Sequence, residues 1–181
     1  DQLAGEIRTG PIKTDTPEFE EAEKNVRDRI EQLLNTKGTE PVDHFHRRLG
    51  KVMWDKCGMA RNATGLQEAI AEIRQIREDF WKNVRIPGKA EEFNQELEKA
   101  GRLADFLELG ELMCLDALNR NESCGGHFRE EFQTKEGEAL RDDENYAHVA
   151  AWEWMGDPGK AVMHKEALTF EVLKLSQRSY K

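Results

Sequence analysis

The sequence has few cysteines, no long hydrophobic run and no excess of positive charge. Its three cysteines in 181 residues, an odd number, do not make a disulfide framework, and they favour a reducing compartment. The absence of an apolar run of about 18 residues excludes a membrane-spanning helix. With 27 basic against 36 acidic residues and a net charge of −9, the chain is not a general nucleic-acid binder.

An initiating Met is also lacking. The chain opens Asp1-Gln2-Leu3-Ala4-Gly5, without the charged and apolar run of a signal peptide. We therefore expect a piece of a longer protein, with its chemistry lying upstream. The length suits one domain with an appendage, and 38% hydrophobic against 35% charged residues predict a thin core with broad solvated faces.

Four segments have the apolar spacing of helices, and they are residues 17–38, 41–58, 62–84 and 89–120. Thr16 before Pro17 is a strong helix start, and Thr64 with Gln67 matches a capping box. The fourth helix is the longest, and its second half is apolar on nearly every side. We therefore expect other elements or another domain to cover it on several sides.

The charge and the hydrophobic periodicity of the chain change after residue 121. Residues 121–145 contain eight acidic and three basic residues, and their net charge of −5 is over half of the total. Residues 146–155 alternate as a strand, 156–159 form a turn, 161–165 return as a second strand, and 169–173 are a candidate third. Trp152 and Trp154 should share one strand face, which is either covered within the fold or a docking strip for another domain. Trp54 and Trp81 should belong to the bundle core or its rim.

These patterns predict a mainly α protein. Its centre is an up-and-down three-helix bundle of the spectrin-repeat type, preceded by an extra N-terminal helix and followed by an irregular loop and a small β-hairpin. The predicted divisions are an irregular segment at 1–16, a helical domain at 17–121, an acidic loop at 122–145, and a hairpin with tail at 146–181.

Residues with catalytic or ligand chemistry are few and scattered. Cys124 and His127 have C-x-x-H spacing, but they supply two of the four ligands that a structural zinc ion needs. Cys124 and His127 are equally weak candidates for a nucleophile and its base, because the surrounding acidic residues would raise the pKa of the Cys124 thiol and so disfavour the reactive thiolate. The Gly125–Gly126 pair is too short to cradle a phosphate. Residues 142–144 favour a solvated acidic turn, or an acceptor for arginines of a partner.

Three stretches carry a family resemblance. They are RRLGKVMWDKCGMARN at 47–62, the helix segment 109–121, and ESCGGHFREEF at 122–132 followed by RDDENY at 141–146. In this order they resemble the helix-turn-helix, the last long helix and the signature loop of the C-terminal domain of succinate dehydrogenase and fumarate reductase flavoprotein subunits. The resemblance runs over residues 17–175.

The chain departs from the family pattern at two positions of the loop. Many members of the family carry Arg where Cys124 stands and Ala where Gly126 stands. The cysteine version, with the insert at residues 133–139, resembles a subgroup common in bacterial quinone-linked enzymes. Contacts that the family's arginine makes are therefore not carried over to this chain.

The resemblance implies an enzyme that binds FAD covalently and interconverts succinate and fumarate. Its dinucleotide-binding and capping domains, with the substrate-gripping residues, lie before this segment, so we expect no catalytic, cofactor-binding or metal-binding residue here and no activity from this chain alone. The implied partners are those two domains, the iron–sulfur subunit and, indirectly, a membrane cytochrome b subunit, with no nucleic acid. The implied location is cytoplasmic, peripheral on the inner face of the cytoplasmic membrane.

The resemblance also marks a contact loop for the flavin domain or the iron–sulfur subunit. Its residues are Glu122, Ser123, Cys124, Gly125, Gly126, His127, Arg129, Asp142, Asp143 and Asn145. Two other functions stay open at this point. One is a free-standing helical interaction module that shares only the bundle architecture, and the other is a small metal- or thiol-dependent enzyme.

Overall fold

A computed structural model of the chain describes residues 13–176, and the predictions on residues 1–12 and 177–181 lie outside the described residues. Four long helices come first: α1 (Pro17–Asn35), α2 (Val42–Lys56), α3 (Ala63–Asn83) and α4 (Gln95–Asn119). The short helix α5 (Asp143–Tyr146), strand β1 (His148–Glu153), a 3-10 turn (Pro158–Lys160) and strand β2 (Val162–Ala167) follow. The predicted mainly α class with a small antiparallel hairpin is confirmed.

Helices α2, α3 and α4 pack on one another as a three-helix bundle. Phe45 of α2 and Phe80 of α3 are fully buried and meet edge to face, with ring centroids 5.5 Å apart. Helix α4 approaches α2 at Gly110, where an added Cβ would lie 3.3 Å from both Leu49 Cδ1 and Met53 Sδ. The core therefore runs along the inner faces of these three helices.

Helix α1 lies outside this bundle against α4. Leu33 is its one buried residue, and Arg29 bridges to Asp105 of α4 at 2.5 Å. Phe19 and Val26 stay 45% and 60% exposed, although they belong to the same apolar stripe. The N-terminal half of α1 is therefore covered less than its spacing predicts.

Helix α4 begins at Gln95, so the predicted start at residue 89 is wrong by six residues. Asn94 caps the helix by accepting from the Leu97 N–H at 3.0 Å, and its amide donates to the Pro87 carbonyl at 2.9 Å. Gly88 has φ +93, and a Cβ there would lie 2.7 Å from the Asn94 amide nitrogen. This turn uses the residues that the apolar pattern assigned to the helix.

Two other local predictions need correction. Helix α3 is capped by Asn62, which accepts from the Gly65 N–H at 2.8 Å, and not by a capping box at Thr64. Trp54 is 84% exposed and does not lie in the core or its rim. Trp81 is partly buried against the core, as predicted.

The hairpin pairs His148 with Ala167 and Glu153 with Val162 at its two ends. It lies against α4, because Trp152 Nε1 donates to Asp116 Oδ1 at 2.8 Å. Trp154 lies beyond β1 and is 52% exposed, so the covered face includes only one of the two tryptophans. Residues 169–173 form no strand, which makes the third-strand prediction wrong.

No helix within residues 13–176 combines the length and the hydrophobicity that a membrane crossing requires.

Candidate functional site

The acidic loop, residues 122–145, leaves the end of α4 and folds back over it. Its backbone pairs Cys124 with His127 in both directions, at 2.8 and 3.1 Å, which makes a tight turn at Gly125–Gly126. The Ser123 N–H donates to the Leu140 carbonyl at 2.8 Å, so the two ends of the loop also meet. The loop is therefore a closed structure in spite of its low periodicity.

Arg129 caps the C-terminal end of α4. Its side chain is 3% exposed, and Nη1 donates to the carbonyls of Ala117, Leu118 and Arg120 at 2.9, 3.3 and 3.4 Å. The last carbonyls of a helix have no partner within the helix and carry negative partial charge, so a guanidinium there satisfies both hydrogen bonding and charge. Nε donates to Glu131 at 3.1 Å, which completes the pairing of this buried cation.

Ser123 and Glu122 fix the segment of the loop that directly follows α4. Ser123 is fully buried, and its Oγ accepts from the Arg129 N–H at 2.8 Å while donating to the Arg129 carbonyl at 3.1 Å. Glu122 is 2% exposed and accepts from Arg120 Nε and the Asp142 N–H, both at 2.8 Å. These two side chains connect the helix end to both the middle and the far end of the loop.

His127 is held between two arginines as a neutral ring. Its Nδ1 lies 3.1 Å from Arg61 Nη1, and its Nε2 lies 2.9 Å from the Arg120 carbonyl oxygen. A guanidinium only donates and a carbonyl only accepts, so the ring proton belongs on Nε2. Burial lowers the pKa of His127, the hydrogen bond to the Arg120 carbonyl opposes this, and the nearby Arg61 charge lowers it further.

The loop also joins the N-terminal end of α3. The Arg61 N–H donates to the Phe128 carbonyl at 3.0 Å, and the Glu130 N–H donates to the Arg61 carbonyl at 2.8 Å. Glu131 accepts from the Ala63 N–H at the first residue of α3. Burial raises the pKa of Glu131, but the bonds from Ala63 and from Arg129 outweigh it and leave the pKa below its ordinary value.

The acidic residues at the end of the loop are also engaged within the chain. Asp142 caps α5 by accepting from the Asn145 N–H at 3.2 Å, and its other oxygen accepts from the Asn145 amide at 2.8 Å. Asp143 pairs with Arg141 at 2.5 Å. The predicted acceptor for arginines of a partner is thus occupied, at Asp143, by an arginine of the loop itself.

The Gly125–Gly126 turn is an exposed part of the loop that no side chain of the described residues covers. Both glycines are exposed, and a Cβ added at either would meet nothing within 4 Å. Position 125 favours glycine because its φ of +59° lies in the left-handed region, whereas Gly126 has no positive φ. All ten residues predicted for the contact loop therefore lie in one structure, and three of them, Gly125, Gly126 and Asn145, are exposed enough to approach another surface.

The geometry does not favour metal or thiol chemistry at this loop. Both ring nitrogens of His127 already have partners, so the imidazole is not free to act as a base for Cys124. No group of three or more metal-ligating side chains is found across residues 13–176. Cys57 and Cys114 are buried in the core, where the neighbouring Cys114 thiol lowers the pKa of Cys57, and the neighbouring Cys57 together with burial raises the pKa of Cys114.

A buried carboxylate outside the loop is absent from the sequence-based predictions. Glu111 of α4 is fully buried, and it accepts from Arg74 Nε and Arg77 Nη1, both at 2.7 Å. Arg77 Nη2 also lies 3.6 Å from Asp157 Oδ2, and this ion pair joins the hairpin turn to the bundle. The available signal was an acid that shares a helical face with buried apolar residues, three before Cys114 and four after Leu107, together with two arginines three apart on α3.

Residues 46–180 match the sequence model of a family described as fumarate reductase flavoprotein C-term. The chain is 31% identical over 149 residues to the fumarate reductase flavoprotein subunit of Proteus vulgaris, covering 80% of this chain and 24% of that subunit. It is 30% identical over 154 residues to the Helicobacter pylori subunit, covering 84% and 21%. The chain therefore spans about a quarter of the length of these relatives.

Solved structures show the same fold. A structure of quinol-fumarate reductase with menaquinol molecules contains a chain that is 26% identical, with a TM-score of 0.76, covering 96% of this chain and 29% of that one. Mycobacterium smegmatis Sdh1 in complex with UQ1 is 22% identical with a TM-score of 0.74, covering 92% and 27%. Adenylylsulfate reductase from Archaeoglobus fulgidus, at 16% identity and a TM-score of 0.66, is similar in fold as well.

Proposed function

The chain belongs to the fumarate reductase flavoprotein C-terminal family, and we propose that it supports FAD-dependent succinate/fumarate interconversion without supplying a catalytic residue. The observation that carries this proposal is the contrast between the buried and the exposed parts of the acidic loop. Its buried charged residues, Arg129 and Glu122, bond to the end of α4, whereas its Gly125–Gly126 turn is exposed and contacts no other side chain of residues 13–176. Such a loop is built to present a fixed surface to a neighbour.

We infer that residues 13–176 do not hold the FAD. A dinucleotide site places its pyrophosphate on backbone N–H groups at the start of a helix, after a glycine-rich turn. The Gly125–Gly126 turn instead leads from Cys124 to His127, which are paired with each other, and no helix follows it directly. We therefore place the covalently bound FAD, and the residues that grip the dicarboxylate, in the upstream part of the subunit.

The proposed partners follow from the same assignment. The upstream FAD-binding and capping domains contact this domain directly, and the iron–sulfur subunit receives the electrons. A membrane cytochrome b subunit is linked indirectly, which places the assembly on the inner face of the cytoplasmic membrane. The similarity to a chain of a quinol-fumarate reductase solved with menaquinol supports this arrangement.

The tip of the loop provides the first test, in the full-length flavoprotein subunit that carries this sequence. Gly126→Lys adds a charge where no atom of residues 13–176 lies within 4 Å of a Cβ, so the thermal midpoint of the domain itself should stay that of the wild type. We expect retention of FAD and co-purification of the iron–sulfur subunit to fall by about tenfold, which corresponds to a penalty of ~1.4 kcal/mol. Ala90→Lys, in the exposed α3–α4 connection, is the matched control.

The clamp provides the second arm of this test. Arg129→Ala and Asp142→Ala remove contacts that hold the loop, and we expect both to reduce FAD retention in the full-length subunit. Wild-type FAD content and wild-type assembly in the Gly126→Lys, Arg129→Ala and Asp142→Ala subunits would together refute the docking role of the loop.

A further inference from the structure

One face of the bundle remains uncovered where α2 and α4 meet. We call it the α2–α4 face, and it consists of Gly50, Trp54, Phe106, Leu109 and Met113. The four large side chains are 84%, 43%, 53% and 47% exposed in that order. The two helices adjoin here, since the ring of His46 lies 6.1 Å from that of Phe106.

The apolar residues of this face have helical spacing. Phe106, Leu109 and Met113 follow one another at intervals of three and four along α4, so they form one stripe. The other sides of α4 are covered by α1 through Arg29, by the hairpin through Trp152, and by the bundle. The α2–α4 face is therefore the side of α4 that the described residues leave open.

Gly50 supplies a second and independent observation. It lies in the middle of α2, is exposed, has no positive φ, and a Cβ at this position would meet nothing within 4 Å. Glycine within a helix lowers the folding equilibrium constant about two- to fivefold relative to alanine. No contact within residues 13–176 explains this loss, whereas close approach by a surface outside them would.

We propose that the α2–α4 face packs against the part of the flavoprotein polypeptide that the relatives have and this chain does not span. The proposal rests on the proposed function, and it assigns a second contact surface, separate from the tip of the acidic loop. The relatives have about three quarters of their length outside the matched region. A neighbour in the same polypeptide is present at high effective concentration, so it is favoured over a second copy or a separate subunit.

Thiol labelling tests this assignment. Leu109→Cys lies on the α2–α4 face, and Val149→Cys is its matched control on the hairpin, since the two native side chains are 53% and 52% exposed. Each variant is prepared in the full-length subunit and in the 181-residue chain, and maleimide labelling of each site is followed by mass spectrometry. In the full-length subunit we expect the Leu109→Cys site to react at least about tenfold more slowly than the control, with similar rates in the 181-residue chain.

Three results would overturn the proposal. The first is equal labelling of the two sites in the full-length subunit. The second is protection that arises only after the iron–sulfur subunit is added, and the third is protection in the 181-residue chain that grows with its concentration, which indicates a second copy.

Gly50→Gln adds a measurement that does not depend on new thiols. It should raise the thermal midpoint of the 181-residue chain, because glutamine favours helix, and lower FAD retention in the full-length subunit. An unchanged FAD content with this variant contradicts the close approach. The two proposals can fail separately. If Gly126→Lys loses FAD but the α2–α4 face is not protected from labelling, the α2–α4 contact is refuted and the role of the loop tip stands. If the face is protected but Gly126→Lys keeps its FAD, only the role of the loop tip is refuted.

Discussion

Replacing Arg129 by alanine is the sharpest perturbation of the acidic loop. The substitution removes a guanidinium that is 3% exposed and leaves the carbonyls of Ala117, Leu118 and Arg120 without this donor. It also removes the charged one of the two partners of Glu131, and the cation whose Cζ lies 5.4 Å from the centroid of the Phe132 ring. Breaking a buried charged contact of this kind costs about 3–5 kcal/mol.

The measurement is unfolding of the 181-residue chain in urea and by heat, followed by circular dichroism. For a chain of this size, about 2–4 °C per kcal/mol converts the expected loss into a thermal midpoint lower by roughly 6–20 °C. Arg129→Lys keeps the charge but not the planar fork, so it should restore only part of the stability.

Arg102→Ala is the control for this prediction. Arg102 is 68% exposed and pairs with Glu98 one helical turn away, so its loss should change the unfolding free energy by no more than about 0.5 kcal/mol. If Arg129→Ala is no more destabilising than Arg102→Ala, Arg129 does not cap α4 and the clamp described above is refuted.

Three further predictions concern the stability of the same chain. Because the folded-state pKa of His127 is lowered from 6.5, the free energy of unfolding should fall as pH drops below about 6.5. His127→Gln should flatten this slope between pH 7.5 and 5.5 in urea titrations, and a slope that the substitution leaves unchanged would contradict the burial of a neutral His127 ring. Glu111→Ala leaves two arginines without their buried partner and should cost about 3–5 kcal/mol in urea unfolding, and a loss under 1 kcal/mol would contradict the pairing. Gly38→Ala would place a Cβ 1.9 Å from the Asn83 carbonyl, so thermal unfolding should show a loss of about 1–3 kcal/mol or more, whereas an unchanged midpoint would contradict that contact.

The helices were predictable because their apolar spacing reports burial directly. Phe45 and Phe80 stand in those stripes and form the centre of the core. Trp54 shows the limit of this reasoning, because residue type alone assigned it to the core, whereas its position on α2 leaves it 84% exposed. A hydrophobic residue outside the stripe gives no information about what covers it.

The helix ends were less predictable, since they depend on single polar contacts. Asn62 and Thr64 are both good caps by type, and only the bond from Gly65 to Asn62 decides between them. At α4, the side chain of Asn94 both caps the helix and closes the preceding turn. Apolar residues before Asn94 therefore extended the predicted helix beyond its true start.

The composition of the contact loop was visible in the sequence, but its internal bonding was not. Arg129 caps a helix that ends ten residues earlier, and no rule of local spacing connects the two. The pairing of His127 with Arg61 likewise joins residues 66 apart. Such contacts depend on how the loop folds back, which is a property of the tertiary structure.

Succinate oxidation with an artificial electron acceptor tests the central claim most directly. It compares the full-length flavoprotein subunit, the same subunit ending before Pro17, and the 181-residue chain alone. We predict activity in the first, loss of FAD and activity in the second, and no activity in the third. Activity in the 181-residue chain, or full FAD content and activity in the truncated subunit, would contradict the account of this domain as a non-catalytic support.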